Sequence, residues 1–330
     1  MAERRQRISP PLINMVASYR LALESANRSE GTIRSYEDTI KLYLRHADVH
    51  ALPITVDDVD ADAIRRFLLA TRAGCWIDDD EVRTRCECGL NATSPGNAHK
   101  HYRNLRAFFG WLIKEQELLG PHPMAAVVEP EVPDNPEDVF TDDELRALVK
   151  VCDGATFESR RDLAIIRIFM DTGIRAGGLT GLRYHPTDPD LSDVDLGGKQ
   201  LTIHLKGGRT RRIPLGAKAA AALDRYLRAR ARHKDFAEPW LWLSVKGRFT
   251  QSGVRQMLER RAKEAGVHNV HPHRFRHTFV DDWLESGGTV QDVMEVGGWK
   301  SAQAALRYGR AADERRAHTA HARLSPGDRI

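Results

Sequence analysis

The last sixty residues of the chain carry the side chains that could do chemistry together. His273, Arg276 and His277 lie in one short segment, Trp299 follows a Gly-Gly pair, and Tyr308 comes nine positions after Trp299 on a run that is expected to be helical. A phenol, an imidazole and guanidinium groups can act together on a phosphodiester without a metal ion. The pattern therefore predicts phosphodiester chemistry, provided that the remaining elements supply further cations and a surface for DNA.

Length and composition set the limits of the fold. A chain of 330 residues is long enough for two domains. The net charge of +4 favours an acidic partner only weakly, so the arrangement of Lys and Arg must decide. No apolar run approaches the roughly 18 residues of a membrane helix, and four cysteines form no disulfide framework. We therefore expect a cytoplasmic protein without a membrane partner.

Apolar periodicity and proline content predict how the chain is divided. The expected parts are a basic disordered tail over 1–11, a helical domain over 12–120 with an insertion over 74–92, a proline-rich linker over 121–136 and a second domain over 137–330. Helices are predicted in the first domain over 12–26, 32–47, 61–72 and 95–118.

Two of these helices combine an apolar face with a basic stripe on the opposite side. The stripes consist of Arg34, Lys41 and Arg45 on the second helix, and of Lys100, Arg103 and Arg106 on the fourth. A single stripe of this kind is usually a solvated surface. Two stripes in one small helical domain favour contact with a phosphate backbone.

The insertion contains three cysteines with two histidines not far behind. Cys75, Cys86 and Cys88, together with His99 or His101, could bind Zn²⁺ in a tetrahedron. The C-x-C spacing differs from the usual C-x2-C, however, and both histidines fall inside the predicted fourth helix. The interpretation favoured by the sequence is a surface insertion with free thiols, and a zinc site is the alternative.

The second domain begins with a capping-box pattern, Thr141 to Glu144. An apolar helix over 157–171 then ends in a turn that places Arg175 where its planar fork can meet a phosphate. Short strands over 191–196, 201–206 and 211–215 follow, with Lys206 at a glycine turn. Further helices are predicted over 217–232 and 251–265, which makes the fold mainly α with a small antiparallel β-sheet.

Four sequence boxes resemble those of the tyrosine recombinases, the phage integrase family. They are Thr172-Gly173-Ile174-Arg175, which resembles TG-[LI]-R, then LKGGRTRRIPL, which resembles K-G-x-K-x-R-x-[IV]-P-L, then HPHRFRHTF, which resembles H-x-[LF]-R-H-[TS]-F, and finally GGW with Tyr308, which resembles L-G-[HW]-x8-Y. All four occur in the family's order and spacing. The resemblance implies a SAM-like helical core-binding domain followed by the catalytic domain.

The resemblance also implies a role for each matching residue. Arg175 and Arg276 would stabilise negative charge on the phosphate oxygens, and Tyr308 would be the nucleophile. His273 would assist as acid or base, and Lys206 would protonate the leaving 5′ oxygen. Trp299 could donate its indole N–H to the phosphate. His277 is interpreted as structural.

The expected activity is site-specific recombination through a covalent 3′-phosphotyrosyl intermediate, without ATP, metal or another cofactor. The expected partners are double-stranded DNA and further protomers, in a tetramer at the synaptic complex. The tail after Tyr308, with Ala317, Ala320 and Leu324, is expected to dock on a neighbouring protomer, although packing on its own domain is an equal alternative.

Two positions depart from the family's pattern. Gly178 stands where most members carry a carboxylate, and the last box has Gly297 for the usual Leu and Trp299 for the commoner His. The alternative functions are therefore a DNA-binding protein of the same fold without catalysis, motivated by Gly178, and a type IB topoisomerase, which shares the chemistry.

Overall fold

The chain forms two compact units. The computed structural model describes residues 9–79, 82–115, 117–133, 138–204, 210–309, 313–325 and 327–329. The N-terminal unit covers Met1–Asp134 and the C-terminal unit covers Asn135–Ile330. The mainly helical fold with a small antiparallel sheet is confirmed. Across the described ranges, no helix combines the length and the apolar character that a membrane span requires.

The N-terminal unit is built from helices whose starts are fixed by local side chains. Ser29 accepts a hydrogen bond from the backbone N–H of Thr32, and Asp60 accepts one from that of Ala63, so each residue caps the helix that follows it. The elements are α1 (Leu12–Ser25), α2 (Glu30–Val49), α3 (Ala61–Ala73), the antiparallel strands β1 (Trp76–Asp79) and β2 (Val82–Arg85), and α4 (Pro95–Lys114).

Aromatic side chains fill the core of this unit. Tyr43 packs edge-on against Phe67, and Phe108 lies beside Phe109. The chain after α4 contributes as well, because Met124 and Val127 are buried in the same core. The first part of the segment 121–136 therefore belongs to the N-terminal unit and is not a free linker.

The cysteines of the insertion are not at the surface. Cys75, Cys86 and Cys88 are between 1% and 6% exposed and belong to the core of the N-terminal unit. Backbone hydrogen bonds hold the segment in place, since Cys75 donates to Leu90 and Cys86 donates to Cys75. The sequence gives no sign of these pairings, and the expectation that these three cysteines lie at the surface was wrong.

The C-terminal unit surrounds a buried central helix, α6. Its elements are α5 (Asp142–Lys150), α6 (Phe157–Thr172), α7 (Ala176–Thr180), β3 (Val194–Asp195), β4 (Gln200–His204), β5 (Thr210–Pro214), α8 (Ala217–Arg230), β6 (Leu243–Ser244), β7 (Gly247–Arg248), α9 (Gln251–Ala265), α10 (Pro272–Glu285), α11 (Val290–Gly297), α12 (Ala302–Leu306) and α13 (Asp313–Leu324). Strands β3, β4 and β5 form one antiparallel sheet in that order, and α6 packs against α8 and α10.

Local signals set the ends of these elements. The capping box at the start of α5 is present in full, because Thr141 and Glu144 each bond the other's backbone. Helix α6 ends at Gly173 in the left-handed region, with φ at 55°. The predicted strand over 191–196 is shorter than expected, because Pro189–Leu191 forms a 3-10 turn that Asp188 caps. Lys206 and its glycine turn lie outside the described residues.

A cluster of three arginines around one buried carboxylate holds part of this core together. Asp162 is completely buried and accepts hydrogen bonds from Arg161, Arg260 and Arg261 at 2.8 to 3.1 Å. Each guanidinium thus faces a carboxylate, as buried charges in protein interiors normally do.

Candidate active site

Arg276 joins three of the four sequence boxes. It lies on α10 and is 1% exposed. Its Nη1 donates to the carbonyl of Gly173 at 2.7 Å, and its Nη2 donates to the carbonyl of Gly297 at 2.9 Å. The guanidinium carbon lies 3.6 Å from the centre of the Trp299 ring. Two backbone acceptors and an aromatic face therefore fix the planar group in one orientation.

Two further arginines lie near Arg276. Arg175 directly precedes α7, is exposed, and lines a cleft of about 440 Å³ together with His273 and Arg276. Arg211 on β5 packs against Gly298. Its Nε and Nη1 are buried and have no hydrogen-bond partner among the described residues.

No carboxylate forms an ion pair with this cluster within the described ranges. The charge of Glu295 acts on Arg211, where it partly offsets the lowering of the Arg211 pKa, and Nε of Arg276 has no hydrogen-bond partner. Burial, and then the nearby Arg175, lower the pKa of both the Arg211 and the Arg276 guanidinium. An anion with several acceptor oxygens would satisfy the unused donors, and a phosphate has both properties.

Arg211 is the functional candidate that sequence reasoning missed. Its signal was present, because Arg211 occupies the arginine position of the hairpin box K-G-x-K-x-R-x-[IV]-P-L. The motif was used to assign a role only to Lys206, in the same hairpin. Nothing in the linear sequence shows that the Arg211 side chain turns towards Gly298, since that contact joins residues 87 positions apart.

Tyr308 lies beside this cationic group. It is partly buried, and its ring centre is 5.3 Å from the guanidinium carbon of Arg276 and 5.3 Å from the Trp299 ring centre. His277 stacks 4.5 Å from the phenol ring and donates from Nδ1 to the Tyr308 carbonyl at 3.2 Å. The expected helical position is not observed, because α12 ends at Leu306 and Tyr308 lies in the following turn.

The two departures in the last box, Gly297 and Trp299, depend on each other sterically. A Cβ placed on Gly297 would collide with the indole ring of Trp299, which folds back over this position. A leucine at 297 is therefore incompatible with tryptophan at 299 in this arrangement. The Trp299 Nε1 is buried without a hydrogen-bond partner in the part of the chain that the structure describes, so the indole keeps one donor available.

Gly178 leaves its side of the site apolar. A Cβ at this position would make ordinary contacts with Ile174 and Ile203 at 3.4 to 3.6 Å. A side chain could therefore be accommodated there, but the sequence provides none. His273 lies exposed in the first turn of α10 and meets the cleft without a carboxylate from position 178.

The basic stripes of the N-terminal unit are exposed on α2 and α4, as is required of DNA contacts. Their side chains differ in the groups that they bond. Arg34 bonds Glu30 at 2.9 Å and Lys41 lies 3.9 Å from Glu37, whereas Arg106 donates to the Tyr102 hydroxyl at 2.8 Å. The other members of the stripes are Arg45, Lys100 and Arg103.

Potential metal ligands occur in the N-terminal unit. Among the described residues, His46, His50, Cys75 and Cys88 bring one ligand atom each to within 4.8 Å of all the others. His99 and His101, the histidines considered from the sequence, bond Glu129 and Thr39 instead. The signal that was missed is the four-residue spacing of His46 and His50, at and just beyond the end of the helix predicted over 32–47.

Arg175, Arg276 and the His273 imidazole line one cleft, and the Tyr308 phenol lies beside Arg276, which together make a site suited to a phosphodiester. The chain belongs to the phage integrase family, whose model matches residues 138–315. It is 29% identical to the tyrosine recombinase XerC of Chromohalobacter salexigens, over 82% of this chain and 90% of that protein.

Solved structures share the fold at low sequence identity. The Tn1549 transposon integrase in complex with a circular intermediate DNA has a TM-score of 0.70 at 17% identity, covering 96% of this chain and 100% of that one. A lambda integrase tetramer bound to a Holliday junction has a TM-score of 0.63 at 17% identity, covering 91% and 77%.

Proposed function

We propose that this protein is a site-specific DNA recombinase that cuts and rejoins DNA strands through Tyr308. The observation that carries the proposal is the position of Arg276, which bonds Gly173 and Gly297 while lying beside the Tyr308 ring. A phosphate that satisfied the unused arginine donors would be held next to a phenol.

The proposed reaction is a transesterification. The Tyr308 oxygen attacks phosphorus, a phosphotyrosyl bond forms, and the bond from phosphorus to the 5′ oxygen breaks. The phenol proton leaves to a base, and the departing oxygen takes up a proton to become a 5′-hydroxyl. A 5′-hydroxyl from another strand reverses the step. One ester replaces another, so no ATP is needed.

The residues around the phosphate would have three roles, which are charge stabilisation, proton transfer and hydrogen-bond donation. Arg175, Arg211 and Arg276 would stabilise charge on the non-bridging oxygens, which grows in the transition state. His273, at the mouth of the cleft, and Lys206 would handle the two proton transfers. Trp299 would add its indole N–H as a further donor to a phosphate oxygen.

The test is a nicked suicide substrate built on the target site, which is first identified by searching the DNA that flanks the gene for inverted repeats around a short spacer. The wild-type chain should form a covalent protein–DNA adduct, and Tyr308→Phe should form none. Tyr184→Phe is the matched control, because Tyr184 lies against Arg230 and not at the cleft. An adduct with Tyr308→Phe would refute the proposal. Binding by the wild type without any cleavage would favour a DNA-binding protein of the same fold.

A type IB topoisomerase would perform the same chemistry without a defined site. Supercoiled plasmids with and without the inverted repeats distinguish the two activities. A recombinase should react only with the plasmid that carries the repeats, whereas equal relaxation of both plasmids would support the topoisomerase.

We further propose that protomers assemble as a tetramer on paired sites, with α13 contacting a neighbour. Leu324 near the end of α13 is 62% exposed, whereas Arg316 in the same helix donates to Asp281 and to the Gly309 carbonyl. One part of the tail is thus held by its own unit while its end presents an apolar side chain. Leu324→Asp should abolish synapsis in a gel-shift assay and spare binding to a single site. Unchanged synapsis would leave the alternative, packing on its own domain.

A further inference from the structure

The core of the N-terminal unit contains a cluster of sulfur and nitrogen atoms that DNA cleavage does not use. Five side chains meet there, from three separate segments. His46 lies in the last turn of α2 and His50 directly follows this helix, Cys75 precedes β1, and Cys86 and Cys88 follow β2. All three thiols and His46 are at most 6% exposed, and His50 is partly buried.

The distances within this cluster are close to those between ligand atoms that bind one metal ion. The His50 Nε2 lies 3.0 Å from the Cys75 sulfur and 3.3 Å from the Cys86 sulfur. The His46 Nδ1 lies 4.0 Å from the Cys75 sulfur, and the Cys88 ligand atom is within 4.8 Å of those of His46, His50 and Cys75. Ligand atoms around tetrahedral Zn²⁺ are roughly 3.3–3.8 Å apart, given bonds of about 2.3 Å to sulfur and 2.0–2.1 Å to nitrogen.

The composition of the cluster also favours a soft cation. Thiols and imidazoles donate lone pairs, and S/N sets of this kind select Zn²⁺ over Mg²⁺ or Ca²⁺. The His46 Nε2 is buried without a hydrogen-bond partner in the described part of the chain, although buried polar atoms are nearly always paired. An apolar core of this size has no need of three thiols and two imidazoles at one point.

We propose that this cluster binds one structural Zn²⁺ ion, with His50, Cys75 and Cys88 as ligands and either His46 or Cys86 as the fourth. The ion closes the base of the β1–β2 hairpin and fastens it to the end of α2. With four protein ligands the coordination is complete, so the site is structural and not catalytic. The proposal is independent of the reaction at Tyr308.

The first measurement is the metal content of the full-length chain. The protein is purified under reducing conditions, treated with a chelator, reloaded with zinc sulfate and desalted, and its metals are determined by mass spectrometry. One zinc per chain is expected. Substitution by Co²⁺ should give the intense visible bands of tetrahedral cobalt with thiolate ligands. A reloaded chain without bound zinc, or cobalt without thiolate bands, would overturn the proposal.

Variants test the assignment of the ligands. Cys75→Ser, Cys88→Ser and His50→Gln should each lose most of the bound zinc. Cys152→Ser and His99→Gln are the matched controls, because Cys152 is a buried thiol of the C-terminal unit and His99 bonds Glu129. Both controls should retain one zinc. If the Cys75 and Cys88 variants retained it as well, the site would not be here.

The fourth ligand is found by comparing His46→Gln with Cys86→Ser. At least one of these variants should lose zinc, and retention by both would contradict a tetrahedral site in this cluster. A fold-independent check guards against misfolded variants. Chelation of the wild-type chain should lower its melting temperature and expose Cys75, Cys86 and Cys88 to a thiol reagent, whereas readded zinc should reverse both changes. The proposal would be contradicted if neither chelator nor zinc changed the melting temperature and thiol reactivity of the wild-type chain.

Discussion

Each unit contains a cluster of polar side chains with unused hydrogen-bonding or ligand atoms. The unused atoms are donors in one cluster and lone-pair acceptors in the other. In the C-terminal unit, Arg211 and Arg276 hold buried N–H donors without acceptors. In the N-terminal unit, buried thiols and imidazoles bring lone pairs together at one point. The first arrangement calls for an anion and the second for a cation. Unsatisfied buried groups thus indicate the charge of the missing ligand.

The cluster at Asp162 shows what a purely structural group of arginines looks like. Arg161 and Arg261 each form an ion pair there with the fully buried Asp162, and Arg261 forms a second one with Glu264. Arg276 is as deeply buried as these two but has no such partner in the described ranges. Compensation by a carboxylate, and not burial, therefore separates the structural arginines from the candidate catalytic ones.

Arg276→Lys should have the largest effect on cleavage. Lysine cannot bond the carbonyls of Gly173 and Gly297 and also keep a planar group against Trp299. We expect single-turnover cleavage to fall by about 10³-fold, with DNA affinity changed only a few-fold. Arg161→Lys is the control, and it should lower the melting temperature but leave the cleavage rate of the folded protein near wild type. Equal losses of cleavage in both variants would contradict the distinction between a catalytic Arg276 and a structural Arg161.

Arg211→Met should lower activity while it raises stability. The substitution removes buried donors that have no acceptor in the described part of the protein, so the free energy of unfolding should rise by up to about 1 kcal/mol. Cleavage should fall by about 10–100-fold, because the phosphate loses a donor. Arg212→Met, at the exposed neighbour on β5, should change neither quantity. Denaturant titration and suicide-substrate kinetics measure the two effects, and a loss of stability in Arg211→Met would indicate a structural role.

Gly297→Leu should be tolerated only when residue 299 changes too. The new side chain would collide with the Trp299 ring, and overpacking of this kind costs about 1–3 kcal/mol of unfolding free energy. The double variant Gly297→Leu/Trp299→His should recover most of that loss, because the smaller ring frees the space. Stabilities that simply add in the double-mutant cycle would contradict the proposed coupling.

Arg103→Ala should have the smallest effect. Arg103 is exposed on α4, and a single lost phosphate contact should lower the slope of log K against log salt by about 0.9. Arg66→Ala is the control from the same unit, since Arg66 pairs with Asp62 and lies outside both stripes. An unchanged slope for Arg103→Ala would exclude this position from the DNA contact.

Features that depend on neighbouring residues were predictable from the sequence. The Thr141 capping box and the helix end at Gly173 involve hydrogen bonds between residues three or four positions apart, so the local pattern contains all the participants. The order of the family's boxes likewise needed no coordinates. The turn at Tyr308 was missed, because the alanine-rich run before it gives no local stop signal for a helix.

By itself, the sequence determined the family, the mainly helical fold and the residues that the motifs carry. Only the tertiary structure decided which side chains meet. It brought Arg211 towards Arg276, folded Trp299 over Gly297, and turned His46 and His50 towards three cysteines more than twenty positions away. Contacts of this kind depend on how whole elements pack, and packing is set by the combined shape of many side chains, which no single stretch of sequence contains.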